Sequence, residues 1–208
     1  MGAVISATMQ TAFGIILAQR KFVCDREWED FQTPKNLAMA LGGEVGELAH
    51  EISRLFASGG GHPAHRAVAD EVGDVALYLL RLHDAAGLDV GQLSFQVADR
   101  SRGDSTGEVD KMNLAWSVCQ LMSSAGRVLD MFQWQTTDSP QVGGVVPRQN
   151  LQCRVDTFVG DFVRICDLLN VDLLAAASAK LEKNERRYPV ERSRGSSRKY
   201  TEFAGSDA

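Results

Sequence analysis

The sequence predicts an all-α protein whose four-helix-bundle core is made of two tandem helix pairs. Strand signals are few, four segments repeat apolar residues at helical spacing, and glycine- and proline-containing breakers separate these segments. Of the 208 residues, 44% are hydrophobic and 24% are charged, a balance typical of a globular protein with a sizeable core.

The first half of the chain contains three predicted helices. A first helix is expected within residues 3–18, whose basic neighbours follow rather than precede it, so a signal peptide is the weaker interpretation. The clearest helix is expected at about residues 37–56, with the apolar stripe Leu41, Val45, Leu48, Ile52 and Leu55. The next is expected at about residues 68–86, with the stripe Val72, Val75, Ala76, Leu79, Leu82 and His83.

Two further helices follow in the second half of the chain. One is expected at about residues 113–134, on the stripe Leu114, Val118, Leu121, Ala125, Val128 and Phe132. The other is expected at about residues 153–169, on the stripe Val155, Val159, Phe162, Cys166 and Leu169. Breakers separate the segments, at residues 58–63, 100–107 and 136–144. The chain after Val190 is polar and is expected to be extended.

Short sequences that occur in both halves indicate that the second half is a copy of the first. Residues 36–38 (NLA) match residues 113–115, and residues 72–74 (VGD) match residues 159–161. Fusion of two helix pairs that once formed a homodimer explains this order. We therefore expect a fused pseudo-dimer with a first half, a degenerate second half and a polar tail, at residues 1–105, 106–190 and 191–208.

Composition excludes several classes of function. The 22 basic and 27 acidic residues give a net charge of −5, which is unfavourable for non-specific binding to nucleic acid. No apolar run approaches the roughly 18 to 20 residues that span a bilayer, so no membrane partner is expected. The four cysteines are far apart and form no CxxC, which favours reduced thiols in a cytoplasmic protein.

Two carboxylate pairs carry the strongest chemical signal. Glu44 and Glu47 are three residues apart, as are Glu71 and Asp74, and both pairs border apolar stripes on consecutive helices. Facing each other, they would form an oxygen cage suited to Mg²⁺, whereas the alternative is that they are solvated surface acids. Four glycines near these acids indicate close approach of backbone or ligand, namely Gly42, Gly43, Gly46 and Gly73.

Three motifs in order carry a family resemblance. They are residues 26–37 with 41–49 (REWEDFQTPKNL and LGGEVGELA), residues 70–80 (DEVGDVALYLL), and a closing segment in two parts, 180–189 and 194–202 (KLEKNERRYP and RGSSRKYTE). The chain resembles the MazG-like all-α nucleoside triphosphate pyrophosphatases, most closely the dCTP pyrophosphatase branch. It departs from them by carrying the third and fourth helices between the second motif and the closing segment.

The resemblance implies an enzyme that hydrolyses a nucleoside triphosphate between the α and β phosphates, giving a monophosphate and pyrophosphate. It implies Mg²⁺ as the cofactor, held by Glu44, Glu47, Glu71 and Asp74. Glu47 is our candidate for the general base, and Lys180 for stabilising charge on the phosphates. dCTP or a related, modified deoxynucleotide is the expected substrate.

The resemblance also implies one composite site per chain. In the second half, Ser124 and Arg127 replace the first glutamate pair, while the first half lacks a counterpart of the closing segment. The candidate substrate-binding residues come from both halves: Trp28, Gln32, Tyr78, Trp134, Asn184, Arg187 and Lys199. Trp134 is the expected base-stacking residue from the degenerate half, and Gln32 stands where relatives commonly have histidine.

Two other interpretations stay open at this point. One is a catalytically dead nucleotide-binding or regulatory protein, because half of the ancestral sites are lost. The other is a helical scaffold whose acids are only surface residues. The sequence does not choose among dCTP, its modified forms, dUTP and other triphosphates, and a homodimer of the fused unit is also compatible with it.

Overall fold

The computed structural model describes residues 11–57, 62–92, 111–135 and 146–196, together with residues 198 and 201. Within these ranges the chain is helical and no strand is present, so the predicted all-α class is confirmed. The α-helices are α1 (Ala12–Asp25), α2 (Pro34–Ala57), α3 (His62–Ala85), α4 (Lys111–Asp130), α5 (Arg148–Leu169), α6 (Leu173–Arg187) and α7 (Val190–Ser193). Short 3₁₀ turns lie at Glu29–Phe31 and Val90–Gln92.

The helix boundaries follow from local capping. Thr11 begins α1, since its Oγ1 accepts a hydrogen bond of 3.0 Å from the amide of Gly14. The prediction ended this helix at Ala18, but α1 continues to Asp25 because Phe22 and Val23 are buried. Residues 3–10 of the predicted helix lie outside the described residues.

Other predicted boundaries were wrong by a few residues, since α3 begins at His62 rather than at about 68 and α5 at Arg148 rather than at about 153. Helix α2 begins at Pro34, a residue favoured in the first turn, rather than at 37. Helix α4 ends at Asp130, and the chain then turns so that Phe132 is still buried. The segment after 190, expected to be extended, begins with the short helix α7.

The two predicted helix pairs are present. Helix α2 packs on α3, α4 packs on α5, and α2 contacts α4 across the pairs. Gly42 allows this last contact, because a Cβ there would lie 2.8 Å from Cδ1 of Leu129. The descent of these pairs from a fused dimer stays a prediction, as do the boundaries of the two halves.

Helix α6, which no apolar stripe had predicted, packs along α3. Asp172 caps its N-terminus, since Oδ1 of Asp172 accepts a hydrogen bond of 2.9 Å from the amide of Ala175. Gly73 makes the approach possible, since a Cβ there would lie 2.8 Å from both the backbone oxygen of Ala176 and the Cβ of Lys180. This packing brings α6 beside the acidic segments of α2 and α3.

In the part of the chain that the structure describes, no helix combines the length and the apolarity that crossing a membrane requires.

Gly73→Ala is expected to lower the free energy of unfolding by about 1–3 kcal/mol, because the added methyl group meets backbone of α6. The matched control is Gly160→Ala in the middle of α5, where a Cβ has nothing within 4 Å. The control should be stabilised by up to about 1 kcal/mol. Urea denaturation of both variants measures the difference. Equal changes in the free energy of unfolding for the two variants would show that the packing of α6 on α3 does not require Gly73.

Candidate active site

A carboxylate cluster lies where α2 and α3 face each other. Glu44, Glu47 and Glu71 each offer an oxygen atom, and these three atoms lie within 4.8 Å of one another. Asp70, Glu71 and Asp74 form an overlapping group within the same distance. The structure therefore brings together all four acids that the sequence singled out, since each pair projects from one helix face.

Burial and mutual repulsion disfavour the charged forms of these acids. Burial, followed by the charges of Asp74, Glu47 and Glu71, raises the pKa of Glu44 to about 7. Burial and then the charge of Asp74 raise the pKa of Glu71 to about 6. The pKa of Asp74 is also raised, mainly by burial. Keeping all four carboxylates ionised in this cluster is therefore unfavourable unless a cation is bound.

Lys180 of α6 supplies a cation to one side of the cluster. Its Nζ donates a hydrogen bond of 2.7 Å to Oδ2 of Asp70 and forms an ion pair with Asp74. Lys183 donates to the same Asp70 carboxylate, at 2.7 and 2.8 Å. Burial lowers the pKa of Lys180, but its hydrogen bonds to the two aspartates outweigh burial and leave the pKa raised. Lys180 therefore stays charged.

The donor set fits a hard divalent cation. The four carboxylates provide only oxygen ligands, which Mg²⁺ and similar ions prefer. Oε2 of Glu71 is buried and has no hydrogen-bond partner among the described residues. A buried carboxylate oxygen without a partner is costly, and a bound cation would remove that cost. Glu44, Glu47, Glu71 and Asp74 are therefore the residues that could hold the metal.

A cavity of about 280 Å³ opens beside the cluster. It lies between α1, the first 3₁₀ turn, α2, α3 and α6. Nine predicted site residues line it: Trp28, Gln32, Glu44, Glu47, Asp74, Tyr78, Lys180, Asn184 and Arg187. The cavity is thus acidic on the side of α2 and α3, basic on the side of α6, and aromatic at its other end.

The aromatic end is held by the C-terminal segment. Trp28 Nε1 donates a hydrogen bond of 2.9 Å to the backbone oxygen of Ser193. Its ring packs edge-on against Tyr188, with ring centres 5.2 Å apart. Burial, and then the charges of Glu44 and Asp74, raises the pKa of Tyr78 to about 12, so its hydroxyl group stays a hydrogen-bond donor.

Two predicted substrate-binding residues are not brought to this cavity. Trp134 does not line it and is 82% exposed, because it lies in the turn after α4 and its side chain points into solvent. The turn is fixed on α2, since Lys35 Nζ donates a hydrogen bond of 2.5 Å to the backbone oxygen of Gln135. Base stacking by Trp134 stays a prediction. Lys199 lies outside the described residues.

Among the residues of the site that were missed, four carry polar side chains. Gln19, Arg81 and Tyr188 line the cavity, and Asp70 holds Lys180 beside it. The sequence offered one signal for Gln19: it is a polar residue on the apolar face of its helix, the face that carries Phe22 and Val23. Asp70 and Tyr188 stood inside the motifs that carried the resemblance, where no role was given to them.

The structure is all-α, as the resemblance implied, and it contains a carboxylate cluster between α2 and α3. The chain is 37% identical to human dCTP pyrophosphatase 1 over 85 residues, which are 40% of this chain and 50% of that protein. It is 34% identical to mouse dCTP pyrophosphatase 1 over 87 residues, 39% of this chain and 51% of that protein. The chain thus spans about half the length of these curated relatives. The predicted resemblance to dCTP pyrophosphatases is confirmed.

No protein-family model matches the chain, and no solved structure matches it at a significant level.

Glu44→Gln is expected to stabilise the metal-free protein at pH 8 but not at pH 4. In the unfolded chain Glu44 has an ordinary pKa near 4.5, whereas in the folded chain its pKa is about 7. Folding therefore becomes less favourable as pH rises from about 4.5 to 7, and a neutral glutamine avoids this loss. Urea denaturation in EDTA at both pH values measures the difference.

The control for this experiment is Glu182→Gln, an exposed residue of α6 outside the cavity. Adding Mg²⁺ at pH 8 should make the wild type more stable than Glu44→Gln, because the cation stabilises the wild type more than this variant. A stability difference between wild type and Glu44→Gln that is the same at both pH values would contradict the assigned repulsion.

Proposed function

We propose that the chain is a Mg²⁺-dependent nucleoside triphosphate pyrophosphohydrolase. It would cleave dCTP, or a related or modified deoxynucleoside triphosphate, into the monophosphate and pyrophosphate, with one site in each chain. The observation that carries the proposal is that one and the same cavity is lined by Glu44, Glu47 and Asp74 and by Lys180 and other residues of α6. Similarity to proteins named dCTP pyrophosphatase 1 supports the choice of substrate.

The cation would be held by Glu44, Glu47, Glu71 and Asp74. When bound there, Mg²⁺ would neutralise charge on the triphosphate and make a water molecule more acidic. Asp74 can serve as a ligand without releasing Lys180, because Asp70 also accepts a hydrogen bond from that lysine. Lys180 would therefore stay in place as the metal site fills.

Three residues of α6 would contact the phosphates. Lys180, Asn184 and Arg187 are spaced i, i+4 and i+7, so they share one helix face, and all three line the cavity. Lys180 is 5% exposed and keeps its charge, which gives it a strong electrostatic effect on developing phosphate charge. Asn184 supplies an uncharged amide beside it.

Glu47 is the best placed general base. It lines the cavity and is the exposed member of its carboxylate group, so water reaches it more readily than Glu44 or Glu71. Its carboxylate would accept the proton of the attacking water. Trp28 and Tyr78 would lie against the base and sugar at the other end, where the cavity is aromatic.

A cytoplasmic location is part of the proposal. The four cysteines are free thiols, which suits a reducing compartment: Cys24, Cys119, Cys153 and Cys166. A homodimer of this chain stays a prediction.

Pyrophosphate release from a panel of deoxynucleoside triphosphates, measured with Mg²⁺ and with EDTA, tests the function. We expect turnover of dCTP that requires Mg²⁺ and that falls by about 10²–10⁴-fold in Glu47→Gln, because the general base is lost. Glu182→Gln should keep full activity. Nucleotide binding without turnover of any triphosphate would instead favour the catalytically dead binding protein.

A further inference from the structure

Arg26 is a buried arginine at the C-terminal end of α1. It is 4% exposed, and it is not one of the residues that line the cavity. Its Nη1 donates a hydrogen bond of 3.0 Å to the backbone oxygen of Phe22, and its guanidinium carbon lies 3.7 Å from the centre of the Phe22 ring. Burying a charged side chain is costly unless hydrogen bonds replace its water, so the partners of Arg26 show what its position stabilises.

Arg26 joins the end of α1 to a distant part of the chain. Its Nε donates a hydrogen bond of 2.8 Å to the backbone oxygen of Tyr188, which is 162 residues away in sequence. Its own backbone oxygen accepts a hydrogen bond of 2.8 Å from the amide of Gly195. Tyr188 and Gly195 lie at the two ends of the C-terminal segment, defined here as residues 188–195. One residue of α1 thus contacts both ends of this segment.

The same segment holds Trp28, which lines the cavity. The hydrogen bond that Trp28 Nε1 donates goes to the backbone oxygen of Ser193, a residue with no exposed surface. The ring of Trp28 packs edge-on against that of Tyr188, which also lines the cavity. Both contacts of Trp28 are therefore with a segment whose ends are bound to Arg26.

The turn between Arg26 and Trp28 is closed by backbone hydrogen bonds of its own. The amide of Trp28 donates to the backbone oxygen of Val23 at 3.1 Å. The amide of Glu27 donates to that of Cys24, also at 3.1 Å. This pair of bonds is a Schellman motif, and Glu27, with φ of 55°, occupies its left-handed position. The turn does not use the side chain of Arg26, so a change in that side chain leaves the turn closed.

We infer that Arg26 is a positioning residue for the nucleotide site: it docks the C-terminal segment so that Trp28 and Tyr188 form one aromatic wall of the cavity. Arg26 acts on an occupant only through these two rings, because they line the cavity and it does not. The inference rests on the proposed function, since it takes the occupant to be a nucleotide.

Arg26→Met tests the inference, because methionine keeps an apolar contact with Phe22 but removes every hydrogen-bond donor of the side chain. Losing a hydrogen bond from a charged group corresponds to roughly tenfold or more in an equilibrium constant, so KM for dCTP should rise about tenfold. The carboxylates and Lys180 are untouched, so kcat should stay within about twofold of the wild type. Calorimetric titration with Mn²⁺ should give an unchanged affinity for the metal.

The matched control is Arg194→Met, in the C-terminal segment itself. Arg194 is exposed and forms an ion pair with the exposed Glu27 at 3.6 Å, a kind of contact that contributes little. This variant should keep the wild-type KM and kcat. Equal rises of KM in the two variants would overturn the inference, and so would a fall in kcat of Arg26→Met with KM unchanged.

Hydrogen exchange of residues 188–195, followed by mass spectrometry, gives a readout that does not need catalysis. Exchange in this segment should be about tenfold faster in Arg26→Met, because local opening becomes easier, and unchanged in Arg194→Met. Wild-type exchange rates in Arg26→Met would overturn the inference.

Gly195→Ala tests the same docking from the other side if Arg26→Met does not fold. Gly195 has φ of 65°, and a Cβ there would meet Glu27 Oε2 only at 3.9 Å, so backbone strain and not a clash would weaken the docking. Faster exchange of residues 188–195 and a higher KM are expected, whereas Gly160→Ala should change neither. Wild-type exchange and KM in Gly195→Ala would overturn the inference.

Loss of the proposed function can be separated from loss of this inference. If no triphosphate is hydrolysed, calorimetric titration with dCMP measures the role of Arg26 without catalysis. An affinity for dCMP that falls about tenfold in Arg26→Met, and not in Arg194→Met, would support that role. Equal affinities of the wild type and Arg26→Met would overturn it.

Discussion

Repulsion among the carboxylates between α2 and α3 is the constraint on which the rest of the structure depends. Burial and neighbouring charge raise the pKa of Glu44 to about 7, so the cluster is stable only if protons or cations balance it. Lys180 supplies part of that balance through Asp70 and Asp74. The single positive charge of Lys180 does not neutralise all of the carboxylates. The negative charge that remains makes the site suited to a divalent cation.

The position of Lys180 depends in turn on how closely α6 packs. Gly73 lets α6 approach α3, and this approach makes one cavity out of an acidic side and a basic side. The C-terminal segment then fixes the aromatic end. Arg26 donates a hydrogen bond of 2.8 Å to the backbone oxygen of Tyr188, and Trp28 donates to that of Ser193. Residues far apart in sequence thus hold Trp28 and Lys180 in the same cavity.

Local spacing could predict the carboxylate cluster and the helical class, because residues three apart on a helix share a face whatever the tertiary structure. It could not predict the pairing of Lys180 with Asp70, which are 110 residues apart. Trp134 was assigned from the resemblance alone, and a likeness in sequence carries no information about which way a turn directs its side chain. Gln19 was missed because an unpaired amide oxygen becomes visible only once its surroundings are known.

The most direct test of the central claim is anomalous X-ray scattering from crystals grown with Mn²⁺ in place of Mg²⁺. The structure predicts Mn²⁺ bound by carboxylate oxygens of Glu44, Glu47, Glu71 and Asp74, with Lys180 in the same cavity and still paired with Asp70. Mn²⁺ bound elsewhere, with the cluster empty and Lys180 still paired with Asp74, would contradict it. The four acids would then be a structural charge cluster and not a metal site.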